Sequence, residues 1–204
     1  MEKSNKLIFK RADDTSALSD FCCGVQSMDN FIHDKERGLE KFIKLKLSNL
    51  WIVYENGKAV AFFSLSKSSI ILNNVDREVL EQKKQDNIVF SEKIDAEIFW
   101  NKERYPAVEI DYLAVCQNKR NDLENHLGTY IVEKIAQAAI QDKLTSTMFL
   151  TVDALDTKEY SAVRFYQKCG FGFSEKGLDK YNNDLAFGNQ PKTRRMYRLI
   201  IPVG

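Results

Sequence analysis

The fold of this chain is decided by residues 107–132, which read AVEIDYLAVCQNKRNDLENHLGTYIV. Residues 108–115, VEIDYLAV, suit a pleated and buried surface, so we predict a strand there. A polar loop follows, and we predict that a helix begins near Asn121 or Asp122, because both residues are good N-caps. The apolar side chains of this helix recur every three or four positions, at Leu123, Leu127, Ile131, Ile135 and Ala138 or Ala139.

A strand that leads through a loop into a helix N-terminus can bind an anion. The first N–H groups of a helix have no intrahelical partner, and the helix dipole favours negative charge beside them. The same pattern also occurs in structural crossovers of α/β proteins that bind no ligand. The segment alone therefore leaves both interpretations open.

The composition is that of an ordinary globular protein, with 44% hydrophobic and 29% charged residues. Its 204 residues favour a single domain, 1–204. Lys and Arg number 30 against 29 Asp and Glu, so no overall field favours nucleic acid or a membrane. No apolar stretch approaches the ~18 residues that span a bilayer, and no secretory signal is evident. We therefore expect a cytoplasmic protein without membrane contact, either a monomer or a homodimer.

Cysteine and histidine are too sparse and too scattered to predict a metal site. Four cysteines and two histidines occur, and none of the cysteines forms a CxxC pair. A nucleophilic cysteine is not expected either, because no histidine is evident as its partner. Two basic clusters are interpreted as solvated faces, namely Lys41, Lys44 and Lys46, and Lys192, Arg194, Arg195 and Arg198.

Turn and cap residues divide the rest of the chain into short elements. We predict strands at 6–10, 50–55, 59–66, 147–155, 171–175 and 195–201. Asn56-Gly57 is a strong signal for a two-residue hairpin between the second and third of these strands. One helix is predicted after Ser27 or Asp29, with Phe31, Leu39, Phe42 and Leu45 on one face.

A second helix is predicted at 157–169, where Asp156 and Glu159 resemble a capping box and Gly170 a C′ residue. Residues 176–192 are predicted to form a loop, and the charged segment 76–101 a helical insertion. The resulting order, a hairpin followed by alternating strands and helices, predicts a mixed α/β (α+β) sheet with helices on both faces.

Four stretches resemble the GNAT superfamily of acetyl-CoA-dependent N-acetyltransferases. VEIDYLAV resembles the fourth strand of that fold, and residues 126–129, HLGT, resemble the end of its Gly-rich pyrophosphate loop. Residues 161–171, SAVRFYQKCGF, are similar to the family's A-x-x-F-Y-x-x-x-G-F helix. Residues 21–31, FCCGVQSMDNF, resemble the opening of a branch that includes toxins acetylating aminoacyl-tRNA. The resemblance covers nearly the whole chain apart from 76–101, and it implies a central mixed sheet of about six to seven strands.

The resemblance implies direct transfer of an acetyl group from acetyl-CoA to a primary amine, without a metal. The acceptor amine can belong to a small molecule, a peptide or a protein, and aminoacyl-tRNA is the alternative acceptor. Tyr166 matches the position of the leaving-group acid, and Glu109 matches the general base of the histone-acetylating members. A buried core tyrosine and a carboxylate on a polar strand face are the structural alternatives.

The resemblance also implies a set of residues that bind acetyl-CoA: Leu113, Ala114, Val115, Arg120, Asn121, Leu127, Gly128, Thr129 and Phe165. The loop after residue 115 departs from the family pattern, because it is longer and Gly128 is its only glycine. Asp122 and Glu124 in this loop would also repel a pyrophosphate. These departures leave a third possibility, a GNAT fold that binds a ligand or partner and catalyses nothing.

Overall fold

The computed structural model describes residues 6–85, 102–120, 126–189 and 192–200. Its strands are β1 (Leu7–Ala12), β2 (Asn49–Glu55), β3 (Lys58–Ile70), β4 (Tyr105–Val115), β5 (Phe149–Leu155) and β6 (Thr193–Leu199). Its helices are α1 (Gln26–His33), α2 (Leu39–Lys44), α3 (Asn74–Gln85), α4 (Gln117–Arg120), α5 (Leu127–Gln141), α6 (Val163–Lys168) and α7 (Glu175–Phe187), and a 3₁₀ turn spans Ser16–Leu18.

The six strands form one sheet, in the order β1-β2-β3-β4-β5-β6. β1, β2 and β3 are antiparallel neighbours, and so are β5 and β6. β4 and β5 are joined through a helix, as a crossover requires. The prediction of a mixed sheet of about six strands flanked by helices is therefore confirmed.

The chain forms two compact units. The first comprises Met1–Ser66 and Ile110–Lys134, and the second comprises Lys67–Glu109 and Ile135–Gly204. Three elements, β3, β4 and α5, pass from one unit into the other. Each unit has buried apolar side chains of its own, so each can be understood from its own packing.

In the first unit the β2–β3 hairpin turns at the predicted dipeptide. Asn56 and Gly57 both have positive φ, 50° and 79°, which is typical of the type I′ turn that matches strand twist. Aromatic contacts then attach the helical segment to this sheet. Phe21 packs edge-on against Phe62 of β3 with 5.4 Å between ring centroids, and both residues are buried.

The single helix predicted from residue 27 to about residue 45 is wrong, because two helices stand there. The carboxylate of Asp34 accepts the N–H groups of Glu36 and Arg37 and forms a turn between them. Gly38 closes that turn, where a Cβ would lie 2.1 Å from the carbonyl oxygen of Phe31 and 2.2 Å from that of Asp34. The polar turn therefore competes with the continuing helix and ends it.

In the second unit, apolar side chains from β3, α3, β4 and β5 form one core. Its buried members are Ile70, Leu72, Leu80, Tyr105, Ala107 and Phe149, with Met148, Tyr197 and Leu199 packed around them. Tyr105 meets Phe149 edge-on at 5.7 Å. The predicted helical insertion is confirmed only as far as α3, and residues 86–101 lie outside the described part of the chain.

A buried arginine joins three segments of the second unit. Nε of Arg194 donates to Asp156 at 2.8 Å, and NH1 donates to Asp184 of α7 at 2.5 Å. Its guanidinium also lies 4.9 Å from the ring centroid of Tyr181. Burial opposes the cation, but the hydrogen bonds that Arg194 donates to the two carboxylates outweigh it, so the pKa of Arg194 is raised.

Arg194 binds residues at two places where the structure differs from the sequence prediction, Asp156 before α6 and Asp184 in α7. The helix predicted at 157–169 begins only at Val163, because the carboxylate of Asp156 binds Arg194 instead of capping a helix. The loop predicted at 176–192 is largely α7, and the strand predicted at 171–175 is reduced to a bridge between Gly172 and Tyr197. The predicted C′ role of Gly170 is confirmed by its φ of +82°.

We predict that Gly38→Ala lowers the free energy of unfolding by about 3 kcal/mol, the upper end for overpacking, because the new Cβ meets backbone oxygens. Gly172→Ala is the matched control, since nothing lies within 4 Å of a Cβ there. Its effect should stay within about 1 kcal/mol. Chemical denaturation followed by circular dichroism measures both. Equal losses in the two variants would contradict the steric argument.

Candidate functional site

The cofactor residues expected from the sequence lie mainly in the first unit, around the start of α5. Leu127 is buried and begins the helix, and Gly128 and Thr129 complete its first turn. The first intrahelical hydrogen bond runs from the N–H of Tyr130 to the carbonyl of His126, at 3.0 Å. The N–H groups of residues 127–129 thus precede the intrahelical ladder, as an anion site at a helix N-terminus requires.

The residues just before that helix differ from the expected open loop. Gln117–Arg120 form α4, a single short turn, and Lys119 pairs with Glu55 of β2 at 2.7 Å. The predicted helix start and the cofactor residue Asn121 fall in 121–125, outside the described residues. His126 has a φ of 34°, which is not helical, so the helix begins at Leu127 and does not extend toward the N-terminus.

Leu113, Ala114 and Val115 form the last residues of β4, where the sequence placed them. Ala114 is buried, and Leu113 and Val115 are half-buried. The N–H of the next residue, Cys116, donates to the carbonyl of Val60 in β3 at 2.8 Å. This hydrogen bond continues the pairing of β4 with β3 to the end of the strand.

A second carboxylate of β4, Asp111, has defined partners in the first unit. Asp111 of β4 accepts a hydrogen bond from the Ser66 hydroxyl at 2.7 Å and a second from the Ser48 hydroxyl. Ser48 itself is only 5% exposed. Burial, with the charge of Asp111 added, raises the pKa of the neighbouring Tyr112. The two serines carry no motif signal, so only the fold reveals them.

The opening motif of the chain has a structural role. The carboxylate of Asp29 accepts the N–H groups of Cys23 and Gly24, at 2.7 and 3.0 Å, and the thiol of Cys22, at 3.3 Å. Burial raises the pKa of Asp29, but these hydrogen bonds outweigh it and the pKa is lowered. Gly24 has a φ of +75°, which a glycine adopts without strain. The motif therefore builds the turn that precedes α1.

The second unit contains both residues expected to carry catalysis. Tyr166 of α6 is 5% exposed and packs edge-on against Phe165 and Phe171, with ring centroids 5.0 and 5.3 Å away. Burial raises the pKa of Tyr166 well above its ordinary value, and the nearby Cys169 and Tyr160 add to the effect. Its hydroxyl is therefore protonated throughout the physiological range.

Glu109 of β4 has different neighbours. Its Oε1 accepts a hydrogen bond from NH1 of Arg195 on β6, and the same nitrogen lies 3.5 Å from Asp153 of β5. NH2 of Arg195 donates to the hydroxyl of Ser68 at 3.1 Å. The sequence reading missed this arrangement, although alternation along β5 and β6 could have paired Asp153 with Arg195.

Two of the four thiols are buried. Burial raises the pKa of Cys23 to about 11, so its reactive thiolate is scarce near neutral pH. Cys169 is also buried, as expected for a packed residue beside the α6 terminus. In the described ranges, no group of three or more His, Cys, Asp and Glu side chains could hold a metal ion. The helices of those ranges are too short or too polar to cross a membrane.

Comparison with known proteins finds likeness in structure and not in sequence. No family model and no curated protein matches the chain. A tyrosine-to-phenylalanine mutant of the toxin AtaT, bound to acetyl-CoA and the C-terminus of the antitoxin AtaR, gives a TM-score of 0.56 at 15% identity. The alignment covers 95% of this chain and 93% of that one.

Two further structures are similar. AtaT complexed with acetyl-methionyl-tRNAfMet gives a TM-score of 0.53 at 19% identity, covering 82% of this chain and 87% of that one. A tyrosine-to-phenylalanine mutant of KacT gives a TM-score of 0.55 at 13% identity. That alignment covers 96% of this chain and 95% of that one. The predicted GNAT-like fold is confirmed by this likeness to AtaT and KacT.

The burial pattern predicts the order in which the four cysteines react. Cys22 is exposed, Cys116 is half-buried, and Cys23 and Cys169 are buried. Iodoacetamide near neutral pH should therefore alkylate Cys22 first and leave Cys23 and Cys169 unmodified until the protein unfolds. Mass spectrometry of peptides over a time course measures the order. Early alkylation of Cys23 would contradict its burial.

Proposed function

We propose that the chain is an acetyl-CoA-dependent N-acetyltransferase that transfers an acetyl group to a primary amine by direct attack in a ternary complex. The observation that carries this proposal is the fold, which is shared over most of the chain with toxin structures containing acetyl-CoA or acetyl-methionyl-tRNAfMet. The placement of Tyr166 and of the α5 N-terminus supports it.

The first turn of α5 is the group that we propose for the pyrophosphate of acetyl-CoA. N–H groups outside the intrahelical ladder and the helix dipole both favour a phosphate there. Gly128 has no side chain between the backbone and such a ligand. Arg120 of α4 would add positive charge to this proposed site, and Lys119 pairs with Glu55.

The remaining expected contacts belong to the same proposal. Backbone groups of the β4 end would bind the amides of the pantetheine arm. The other residues proposed to contact acetyl-CoA would lie beside its pyrophosphate or its pantetheine arm. With the β4 end, the proposed contacts are Leu113, Ala114, Val115, Asn121, Leu127, Thr129 and Phe165.

We assign the leaving-group acid to Tyr166. When the amine nitrogen bonds to the acetyl carbon and the C–S bond breaks, the sulfur leaves as a thiolate and needs a proton. Tyr166 holds its proton because burial raises its pKa. A buried phenolate is costly, so Tyr166 must recover a proton from water as soon as it donates its own.

We assign the removal of the amine proton to Glu109, acting through a water molecule. The N–H bond breaks as the C–N bond forms, and the proton passes to the carboxylate and from there to solvent. The ion pair with Arg195 occupies one carboxylate oxygen and leaves the other for this role. The net reaction moves one acetyl group from sulfur to nitrogen and one proton from nitrogen to sulfur.

Aminoacyl-tRNA is the acceptor that a specific observation favours, namely the AtaT complex with acetyl-methionyl-tRNAfMet. Its α-amino group is a primary amine and meets the chemical requirement. Radiolabelled acetyl-CoA can be supplied with methionyl-tRNAfMet, with deacylated tRNA as the control, and with a lysine peptide. Label on the charged tRNA supports the tRNA acceptor, and label on the peptide supports a protein acceptor. No transfer and no acetyl-CoA binding would instead favour a non-catalytic binding protein.

We predict that Gly128→Val weakens acetyl-CoA binding at least tenfold, about 1.4 kcal/mol, because the branched side chain keeps phosphate away from the N–H groups. Ala138→Val is the matched control: it places the same side chain at an exposed position of the same helix. Its affinity should equal that of the wild type. Isothermal titration calorimetry measures both, and an unchanged affinity in Gly128→Val would overturn the pyrophosphate assignment.

We predict that Tyr166→Phe lowers kcat by a factor of about 10²–10⁴, the range typical of a lost general acid. The ring contacts with Phe165 and Phe171 remain, so acetyl-CoA affinity should change little. Tyr181→Phe, a hydroxyl deletion on α7, should keep wild-type kcat. Steady-state kinetics and calorimetry test the two variants together. A Tyr166→Phe enzyme with wild-type kcat would remove the acid assignment.

A further inference from the structure

Four neighbouring strands of the sheet each contribute one polar side chain to a cluster in the second unit. Ser68 comes from β3, Glu109 from β4, Asp153 from β5 and Arg195 from β6. Arg195 is its centre, because it donates to both Glu109 and Ser68 and lies 3.5 Å from Asp153. Asp153 and Arg195 are also direct partners in the β5–β6 register.

The two donors of Arg195 fix the direction of the guanidinium. The guanidinium is planar, so holding NH2 on the Ser68 hydroxyl at 3.1 Å also determines where NH1 points. NH1 in turn donates to Oε1 of Glu109 and lies 3.5 Å from Asp153. The hydrogen bond from Arg195 thus anchors one of the two carboxylate oxygens of Glu109.

Among the residues that the structure describes, the charged side chains near Glu109 are one cation, Arg195, and one anion, Asp153, and both are more exposed than Glu109. In the described part of the second unit, the charged groups facing it are Arg195 and, beyond Arg195, Asp153. The side chain of Glu109 is 19% exposed, against 45% for Arg195 and 52% for Asp153. Burial opposes the Arg195 cation, but the hydrogen bond and charge of Glu109 outweigh it and raise the pKa of Arg195. The guanidinium therefore stays charged near neutral pH.

We propose that Arg195 is a positioning residue for the base Glu109: it anchors one carboxylate oxygen and directs the other oxygen to the amine proton. Ser68 orients the guanidinium, and Asp153 shares the charge of Arg195. This inference rests on the proposed function, because it assigns Glu109 a proton to remove.

Three variants separate charge from geometry. Arg195→Gln removes the cation and leaves Glu109 near the carboxylate of Asp153, which favours the protonated form of Glu109. Arg195→Lys keeps the charge but loses the planar fork. Asp153→Asn removes the competing anion, which favours ionised Glu109. Lys180→Gln, at an exposed position of α7 in the same unit, is the control for a change in net charge.

Two readouts are measured on the full chain. ¹³C NMR of labelled glutamate follows the protonation midpoint of Glu109, whose resonance is identified by its loss in Glu109→Gln. The pH dependence of kcat/KM follows acetyl transfer to methionyl-tRNAfMet, the same acceptor for every variant. Since the acceptor is constant, any displacement of the acidic limb between variants belongs to the enzyme.

We expect Arg195→Gln to move both the midpoint and the acidic limb to higher pH by roughly half to one unit. Asp153→Asn should move both in the opposite direction, and Lys180→Gln should move neither. Arg195→Lys should leave the limb near its wild-type position while kcat falls about tenfold from misalignment. A purely structural arginine would change the unfolding temperature and leave both pH readouts in place.

The failures are distinguishable. An unmoved midpoint and limb in a folded Arg195→Gln protein, with acetyl transfer by the wild type intact, overturns the positioning role alone. The absence of acetyl transfer to methionyl-tRNAfMet and to the lysine peptide by the wild type overturns the proposed function, and the positioning role with it. Coordinated movement of both readouts in Arg195→Gln and Asp153→Asn supports the proposal.

Discussion

The second unit depends on the buried guanidinium of Arg194. It is 5% exposed and is bound by Asp156, which follows β5, and by Asp184 of α7. A buried cation is tolerated only when it is paired and hydrogen-bonded, and removing one partner of such a group typically costs about 3–5 kcal/mol. No residue of α7 is buried, and its contacts include this ion pair and the stacking of Tyr181 on Phe173. Arg194 thereby links the end of β5, β6 and α7.

Strand β4 carries two carboxylates, Glu109 and Asp111, whose hydrogen-bond partners differ. Glu109 faces a cation that is shared with Asp153, while Asp111 accepts hydrogen bonds from two serine hydroxyls. Glu109 is therefore held by a charged donor and Asp111 by neutral ones. Environment and not residue type distinguishes the two acids, as in enzymes that use paired carboxylates for different steps.

Likeness in fold at 13–19% identity means that packing is preserved while most side chains differ. Function belongs to sites placed on a fold, so the fold alone does not choose the acceptor of this chain. What this chain places on the fold is specific: the start of α5 with a single loop glycine, a buried tyrosine with a raised pKa, and an arginine-held glutamate. These features are the basis on which the acetyl transfer proposed here can be tested.

The sequence by itself determined those elements whose signals are local. The periodicity of VEIDYLAV predicts β4, the spacing of Leu127, Ile131 and Ile135 predicts the buried face of α5, and Asn56-Gly57 predicts the hairpin turn. Each signal depends only on backbone preference and on alternation within a few residues. The family resemblance likewise placed Tyr166 in a helix, and the structure confirms that helix as α6.

Tertiary structure alone decided where polar side chains find their partners. Asp156 looked like a cap, but its partner Arg194 is 38 residues away, and the later start of α6 follows from that pairing. α7 was missed because the segment between its caps, Ser174 and Gly188, is mostly polar and buries none of its residues. Glu109 and Arg195 are 86 residues apart, and nothing in either local sequence predicts their contact. Long-range pairing of charged groups depends on which strands become neighbours, and a single local sequence pattern does not contain that information.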